Sequence, residues 1–396
     1  MTVPTLDTEP ACPGITDRPT ERSIATTSLV VTPQSVASIP RSTWDDLAAL
    51  NPLATPFSSW AFHRAWWDAY GTNATEQTLV VCPPAGEPIA IVPLMARHEV
   101  EPADADLHTM IRHGSALGLT PVAPTAAARF FGASYHADYA TVIGDPADFP
   151  AVATAIVRHL ASPTAGAWDA IDLRRVRCAD PAGEALAAAF GGAEIASGWT
   201  LNVDREDVCP VVTFGLGASI DDYLGTLGKK ERHEIRRKVR RAEAVGEIEL
   251  TDSAHPIDEL ETFIDLHQRR WGEAGLFPDT AGGAQSRTLF RRMFELFGAD
   301  GPLRLSFLSV GGRRIAAGVH FETPEGLLYY NAGIDTDARD LSPGVLMVYA
   351  YVQRALERGL PRLDFLRGDE PYKYEWGAVD EPIQRILVRR SDSAWG

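Results

Sequence analysis

Cysteine is scarce: four in 396 residues (Cys12, Cys82, Cys178, Cys209), with no two at metal-ligand spacing. That distribution excludes a disulfide scaffold and a cysteine zinc site, and it reads as isolated thiols of a reducing compartment. Long apolar runs are missing as well. No stretch of about 18 uninterrupted apolar residues exists, so no membrane-spanning helix is expected. Positive charge is in deficit, 37 Lys and Arg against 53 Asp and Glu, for a net charge of -16. This argues against a general nucleic-acid binder, because phosphate contacts dominate such affinity, and leaves room for a local basic patch. The first 28 residues lack the basic start and apolar core of a signal peptide; they read as a disordered leader on a cytoplasmic protein. A P-loop is absent, as is the Gly-x-Ser-x-Gly turn of a serine hydrolase, which removes two common enzyme classes.

What remains is ordinary for a globular chain, 45% hydrophobic and 23% charged, and long enough for two or three domains. Ser28–Val31 reads as a strand, and residues 44–50 and 58–70 as helices. The apolar runs Thr78–Cys82 and Ile89–Leu94, separated by Pro-Pro-Ala-Gly-Glu-Pro, read as a hairpin. Residues 101–135 carry no clear period. A strand at 139–143, a helix at 149–160, a strand at 170–173 and a helix at 182–190 complete the first half. The second half repeats the plan. A strand at 211–214 leads to a helix opening at Ser219 with Asp222 three residues on, a capping box. Helices at 229–241, 258–271 and 286–297 precede a hairpin turning at Gly311-Gly312. Both halves end in strand, helix, strand. The expected fold is therefore α/β, two tandem domains with mixed sheets flanked by helices. The expected division is a leader at 1–28, a first domain at 29–205 and a second at 206–396, joined by the charged link Asp204-Arg205-Glu206-Asp207.

The last fifth of the chain carries the chemistry. A strand (residues 327–334) leads through a polar loop to Leu341-Ser342-Pro343-Gly344, then an apolar helix (345–358) and a second strand (362–366). Ser342 suits an N-cap and Pro343 the first helical position. Gly344 costs roughly 0.5–1 kcal/mol relative to alanine there, which close approach of a ligand would justify. Backbone N–H groups and the helix dipole make such a loop an anion cradle. A charged Asp364 on a central strand implies an arginine partner. Asp369 and Glu370 follow it in a loop, at the carboxyl end of the sheet where α/β sites lie.

The run Asp364-Phe365-Leu366-Arg367-Gly368-Asp369-Glu370-Pro371-Tyr372-Lys373-Tyr374-Glu375-Trp376, with Ser342-Pro343-Gly344, resembles the CelD/FemAB-like branch of the GNAT acyltransferase superfamily. The resemblance extends to Leu227–Arg237 and Leu266–Trp271, and more weakly to Phe57–Trp60 and Ile91–Leu94. It implies two GNAT-like domains and N-acyl transfer from an acyl thioester, acetyl-CoA, to an amine on a sugar, amino acid or cell-envelope precursor. A FemAB-like aminoacyl-tRNA-dependent transferase and a non-catalytic accessory protein of polysaccharide synthesis remain as alternatives. No metal is called for. The implied donor contacts are Tyr330, Asn331, Ala332, Gly333, Ser342, Gly344 and Val345. Asp369 is the first choice for the base, with Glu370 and Asp364 behind it; Lys373 is the candidate oxyanion stabiliser, and Tyr372 or Tyr330 the thiolate's proton donor. The departure from the family pattern is a single loop glycine, Gly344, with Arg339 displaced.

Two helices add candidates. Eight Lys and Arg lie between Lys229 and Arg241, a local positive field suited to a donor's phosphates or a tRNA. His267, Arg270 and Trp271 share one helical face and, with Trp376, are the candidate acceptor contacts. The first half has no Ser-Pro-Gly and no match to the Asp369–Trp376 cluster, which implies a structural role or one wall of an acceptor cleft.

Overall fold

A computed structural model describes residues 28–97, 119, 122, 126–192 and 198–390; most of the expected leader and much of 101–135 lie outside these. The first half begins with β1 (Val30–Pro33), α1 (Arg41–Ala49) and α2 (Trp60–Tyr70). Short strands follow: β2 (Thr75–Glu76), β3 (Leu79–Cys82), β4 (Ala90–Val92), β5 (Leu94–Arg97), β6 (Ala128–Phe131) and β7 (Ile143–Gly144). Then come α3 (Phe149–Ala161), β8 (Ala170–Arg177), α4 (Pro181–Gly191) and the long β9 (Trp199–Thr213). The second half contains α5 (Ile220–Thr226), α6 (Lys229–Glu243), β10 (Ile248–Asp252), α7 (Leu260–Trp271) and α8 (Ala281–Phe297). It ends with β11 (Leu303–Val310), β12 (Arg313–Thr323), β13 (Gly326–Ile334), α9 (Pro343–Glu357), β14 (Arg362–Asp364), α10 (Pro371–Glu375) and β15 (Val379–Arg390).

Eleven strands form one mixed sheet in the order β10-β11-β12-β13-β14-β9-β15-β8-β6-β5-β2, and β1, β3, β4 and β7 form a second. Each half contributes one right-sized crossover. β6 runs parallel to β8 across α3, and β13 runs parallel to β14 across α9. The expected hairpins are present, with Leu79 opposite Val92 and Val310 opposite Arg313.

The seam between the halves is where sequence and structure differ. Asp204–Asp207, read as a link, lies inside β9, which pairs with β15 from Val211↔Val379 to Trp199↔Arg390. The last strand thus returns to the first half and pairs with β8 along its other edge. Charge in this ribbon does not mark solvent. Asp172 on β8 is buried and takes Arg385 of β15 at 2.6 and 2.8 Å, a bidentate pair whose geometry offsets its desolvation.

The largest apolar core also ignores the division. Phe57, Phe62, Trp66 and Tyr70 of the first half pack with Phe263, Phe290 and Phe321 of the second. Removing each such ring from water stabilises by roughly 1.5–3 kcal/mol, so the halves hold each other in one arrangement. α7 and α8 cover one face of the second half, with α6 and α9 on the other.

Candidate active site

The site begins with a parting of strands. β13 and β14 pair only at Leu327↔Leu363 and Leu328↔Asp364. Beyond that point Leu366 N–H donates to Asp364 Oδ1 (2.8 Å), and Leu366 takes a left-handed φ of 57°. Such a conformation costs a side-chain-bearing residue of order 1–3 kcal/mol and here turns the chain away from β13. On β13, register shifts between Val319↔Asn331 and His320↔Tyr329, so Tyr330 is the extra residue of a bulge. The result is a V-shaped gap opening into a cleft of about 380 Å³. Its walls come from β13 (Tyr329–Ala332), the chain after β14 (Phe365–Arg367, Glu370, Tyr372, Lys373), and the end of α7 (His267, Arg270, Trp271).

The structure brings together most of the residues expected from sequence, but it gives several a different task. Lys373 is 2% exposed, and its Nζ donates to the carbonyls of Leu366, Arg367 and Gly368 at 3.1, 3.0 and 2.8 Å. Glu370 completes its shell at 2.9 Å. Its donors are committed, so the geometry makes it the tie that holds the loop, in place of the free oxyanion donor expected. Asp364 is buried between Arg362 (2.9 Å) and the Tyr139 hydroxyl (2.8 Å), an ion pair on the strand and not a base open to the cleft. Asp369 is 2% exposed, outside the residues lining the cleft, and its Oδ2 has no hydrogen-bond partner among the described residues.

Tyr330 donates to the His136 carbonyl at 2.9 Å, which occupies its proton. Tyr372 stands at the mouth, 38% exposed, and burial of its ring pushes its phenol well above the ordinary range. His267 bonds the Ala332 carbonyl through Nδ1 (3.0 Å) and receives the Leu276 N–H at Nε2 (3.2 Å). The second contact requires an unprotonated Nε2, so the proton is on Nδ1. Burial lowers its pKa to about 4, which keeps the ring neutral. His267 therefore pins α7 to β13. Gly333 has the same purpose: a Cβ there would lie 2.3 Å from the His267 backbone nitrogen. Trp376, read as an acceptor contact, is 2% exposed in the core beneath α9, and its carbonyl accepts from Tyr223; it does not line the cleft.

The helix-opening loop lies beside the basic helix. Ser342 adopts a left-handed conformation (φ 57°, ψ 56°) and makes no side-chain cap; its Oγ accepts from Arg241 at 2.8 Å. Val345 and Leu346 N–H groups turn back to the Ser342 carbonyl, so Val345 offers no free amide. Gly344 has nothing within 4 Å of the position a Cβ would take, leaving the fold no packing reason for a glycine there. Along α6, Ile235, Val239 and Ala242 face the core while Lys229, Lys230 and Arg240 are exposed.

Sequence reasoning missed Asp138 and Arg367. Both line the cleft, and Arg367 Nε lies 3.3 Å from Asp138 Oδ1. Arg367 also approaches Asp207 at 3.9 Å, whose carboxyl is pushed up to about 6 by burial. The run Ser134-Tyr135-His136-Ala137-Asp138-Tyr139, chemically dense inside a Gly- and Ala-rich stretch, was the available signal.

The first half has the same parting of strands and fills it. β6 and β8 pair only as far as Phe130↔Asp172, and beyond that the Ala140 N–H bonds the Arg175 carbonyl at 3.0 Å. Ala133, Ser134, Ala137 and Tyr139 are buried in the gap. Positive φ at Ala133 and His136 shows how tightly that loop is wound, and Arg175 on the facing β8 is left-handed too. The helix after it opens behind Asp145 and Asp148, the wrong sign for a phosphate.

The site thus combines a paired sheet, a strand bulge, an open gap and a crossover helix. Residues 229–374 match the family model described as an acetyltransferase (GNAT) domain. A structure entitled "Crystal structure of FemX" aligns over 87% of this chain and 96% of its own, at TM-score 0.55 and 11% identity. A conserved protein from Bacteroides thetaiotaomicron VPI-5482 aligns over 89% and 98%, at TM-score 0.52 and 14% identity. At such identity the likeness is one of fold. No curated relative matches by sequence. Residues 229–374 are thus similar to a GNAT-type acetyltransferase domain, and the chain as a whole shares the fold of the FemX structure.

Proposed function

We propose that the chain transfers an acyl group, acetyl from acetyl-CoA, to an amine on a sugar, amino acid or cell-envelope precursor. The observation that carries this reading is the open gap between β13 and β14, adjoining a crossover helix whose Gly344 leaves room for a ligand. The edge of β13 beyond its pairing with β14, from Tyr329 to Asn331, offers main-chain groups to the extended arm of the donor, and Gly344 with Arg241 takes its phosphates.

The chemistry is displacement at a thioester carbonyl. The amine nitrogen must be neutral to attack, so its ammonium proton goes first to a carboxylate. Asp138 lines the cleft and is steadied by Arg367, which makes it the acceptor of that proton. Asp369, the carboxylate favoured on sequence, is the second candidate; it stands one residue from the cleft wall with an orphan oxygen. As the carbon–nitrogen bond forms and the carbon–sulfur bond breaks, the attacking nitrogen releases its second proton to solvent, and Tyr372 donates a hydrogen bond to the departing thiolate, which takes a proton from solvent. Lys373 shapes the loop and touches neither reactant. Holding thioester and amine in attack geometry supplies most of the rate. The test is release of free CoA thiol from acetyl-CoA against a panel of primary amines. Amine-dependent release supports the reading, and none across the panel defeats it.

A larger donor is the second reading, favoured by one feature. α6 presents Lys229, Lys230 and Arg240 to solvent and contacts the helix-opening loop through Arg241. The FemAB-like resemblance implies aminoacyl-tRNA, and this reading requires binding that falls steeply with salt.

A further inference from the structure

Among the described residues, the exposed aromatic side chains are Trp271 (46%) and Tyr372 (38%), and both line the cleft. Aromatic surface is ordinarily withdrawn from water, so its concentration at one mouth marks a ligand face. Between them in chemistry is Arg270. Its guanidinium stacks 4.7 Å from the Trp271 ring centroid and forms no ion pair among the described residues. The cleft's other arginine, Arg367, is held by Asp138. The Arg270 charge reaches Tyr329, Tyr372 and His267, which places it over the cleft and not away from it. It is also fixed in position, because His267 and Gly333 clamp the end of α7 to β13.

We propose that the acceptor carries, besides its amine, an oxyanion bound by Arg270 and a flat ring held by Trp271 and Tyr372: an aromatic amino acid or its phosphonate counterpart. This rests on the acyl-transfer reading above for the amine alone. At about 380 Å³ the cleft is at the small end of ligand sites, which suits one such unit. A planar guanidinium offers two parallel donors to carboxylate or phosphonate, and its stacking on Trp271 sets the plane in advance. The ring supplies the apolar surface that an exposed tryptophan and tyrosine otherwise give to water.

Product analogues test this without any donor. N-acetyl-L-phenylalanine, the corresponding N-acetyl phosphonate and N-acetylphenethylamine, which lacks the anion, are titrated calorimetrically into the full chain, into Arg270→Gln and into Arg269→Gln. The proposal expects the wild-type protein to bind one anionic compound at least about tenfold more tightly than the phenethylamine, the scale of one charge-assisted contact. Which anion wins identifies carboxylate or phosphonate. In Arg270→Gln, folded by its melting curve, the preference disappears while phenethylamine binding is unchanged; Arg269→Gln keeps it. No preference in the wild type, no binding of any of the three, or a preference that survives in Arg270→Gln overturns the proposal. Failure to release CoA thiol would defeat the acyl-transfer reading and leave this binding result standing.

Discussion

Asp138 Oδ1, in the loop after β6, lies 3.3 Å from Arg367 Nε, in the loop after β14. Two segments 229 residues apart thus meet on one cleft wall. The first half does not merely flank the site. It fills its own strand gap with residues 133–140 and presents Asp138 from that same loop to the open gap of the second half.

If Asp138 takes the ammonium proton, Asp138→Asn keeps the shape and removes the base. Turnover should fall by about 10²–10⁴-fold, with the donor KM unchanged. Asp369→Asn, measured alongside, should cost far less. A larger loss for Asp369→Asn would move the proton acceptor there.

Lys373→Met leaves three carbonyls without their shared donor and frees Glu370. A buried polar group left unsatisfied costs about 1–3 kcal/mol, so a fall in melting temperature of several degrees is expected. Lys373→Arg should not rescue it, because a planar fork cannot converge on three carbonyls as a point charge does. An unchanged melting temperature with lost activity would instead give the lysine a chemical role.

Two glycines should part company. Gly333→Ala drives a methyl to within 2.3 Å of the His267 nitrogen, so α7 must shift, at a cost of about 1–3 kcal/mol. Gly344→Ala meets nothing and should leave stability equal or higher by about 0.5–1 kcal/mol, while weakening donor binding. Melting curves and donor titrations on both variants separate packing from ligand approach.

Acid should unfold the protein through its buried histidines. Burial lowers His63 and His136 to about 3 and His267 to about 4, with His320 lowered as well. A depressed histidine binds no proton in the folded state where the unfolded chain does, so stability falls as pH drops below 6.5 toward 4. Asp207 acts oppositely: its carboxyl is raised to about 6, so its contribution is present at low pH and lost as pH rises through 6. The histidines outnumber it. Denaturation followed against pH near 5 should report a net uptake of roughly two to three protons on unfolding, and no uptake would contradict this balance.

Much of the fold was legible because its elements are locally specified. The capping box at Ser219 and Asp222, the Gly311-Gly312 turn and the Ser-Pro-Gly helix start each appear where expected. The seam was not legible. Asp204–Asp207 look like a solvated link, and only the partner strand β15, some 180 residues away, makes them ladder positions. Roles within the site were misread for a related reason. Whether Lys373 faces a ligand or three carbonyls, and whether Trp376 faces cleft or core, depends on how the chain bends after Asp364. That bend is set by a left-handed leucine with no propensity signal of its own.

The most direct measurement is calorimetric titration of the protein with acetyl-CoA and with CoA, at low and high salt, for the wild type and for Gly344→Ala. Micromolar binding of both ligands, weaker at high salt and weaker again in Gly344→Ala, is the predicted result. No binding of either would contradict the CoA-dependent account and transfer its claim on the gap between β13 and β14 to an aminoacyl-tRNA donor.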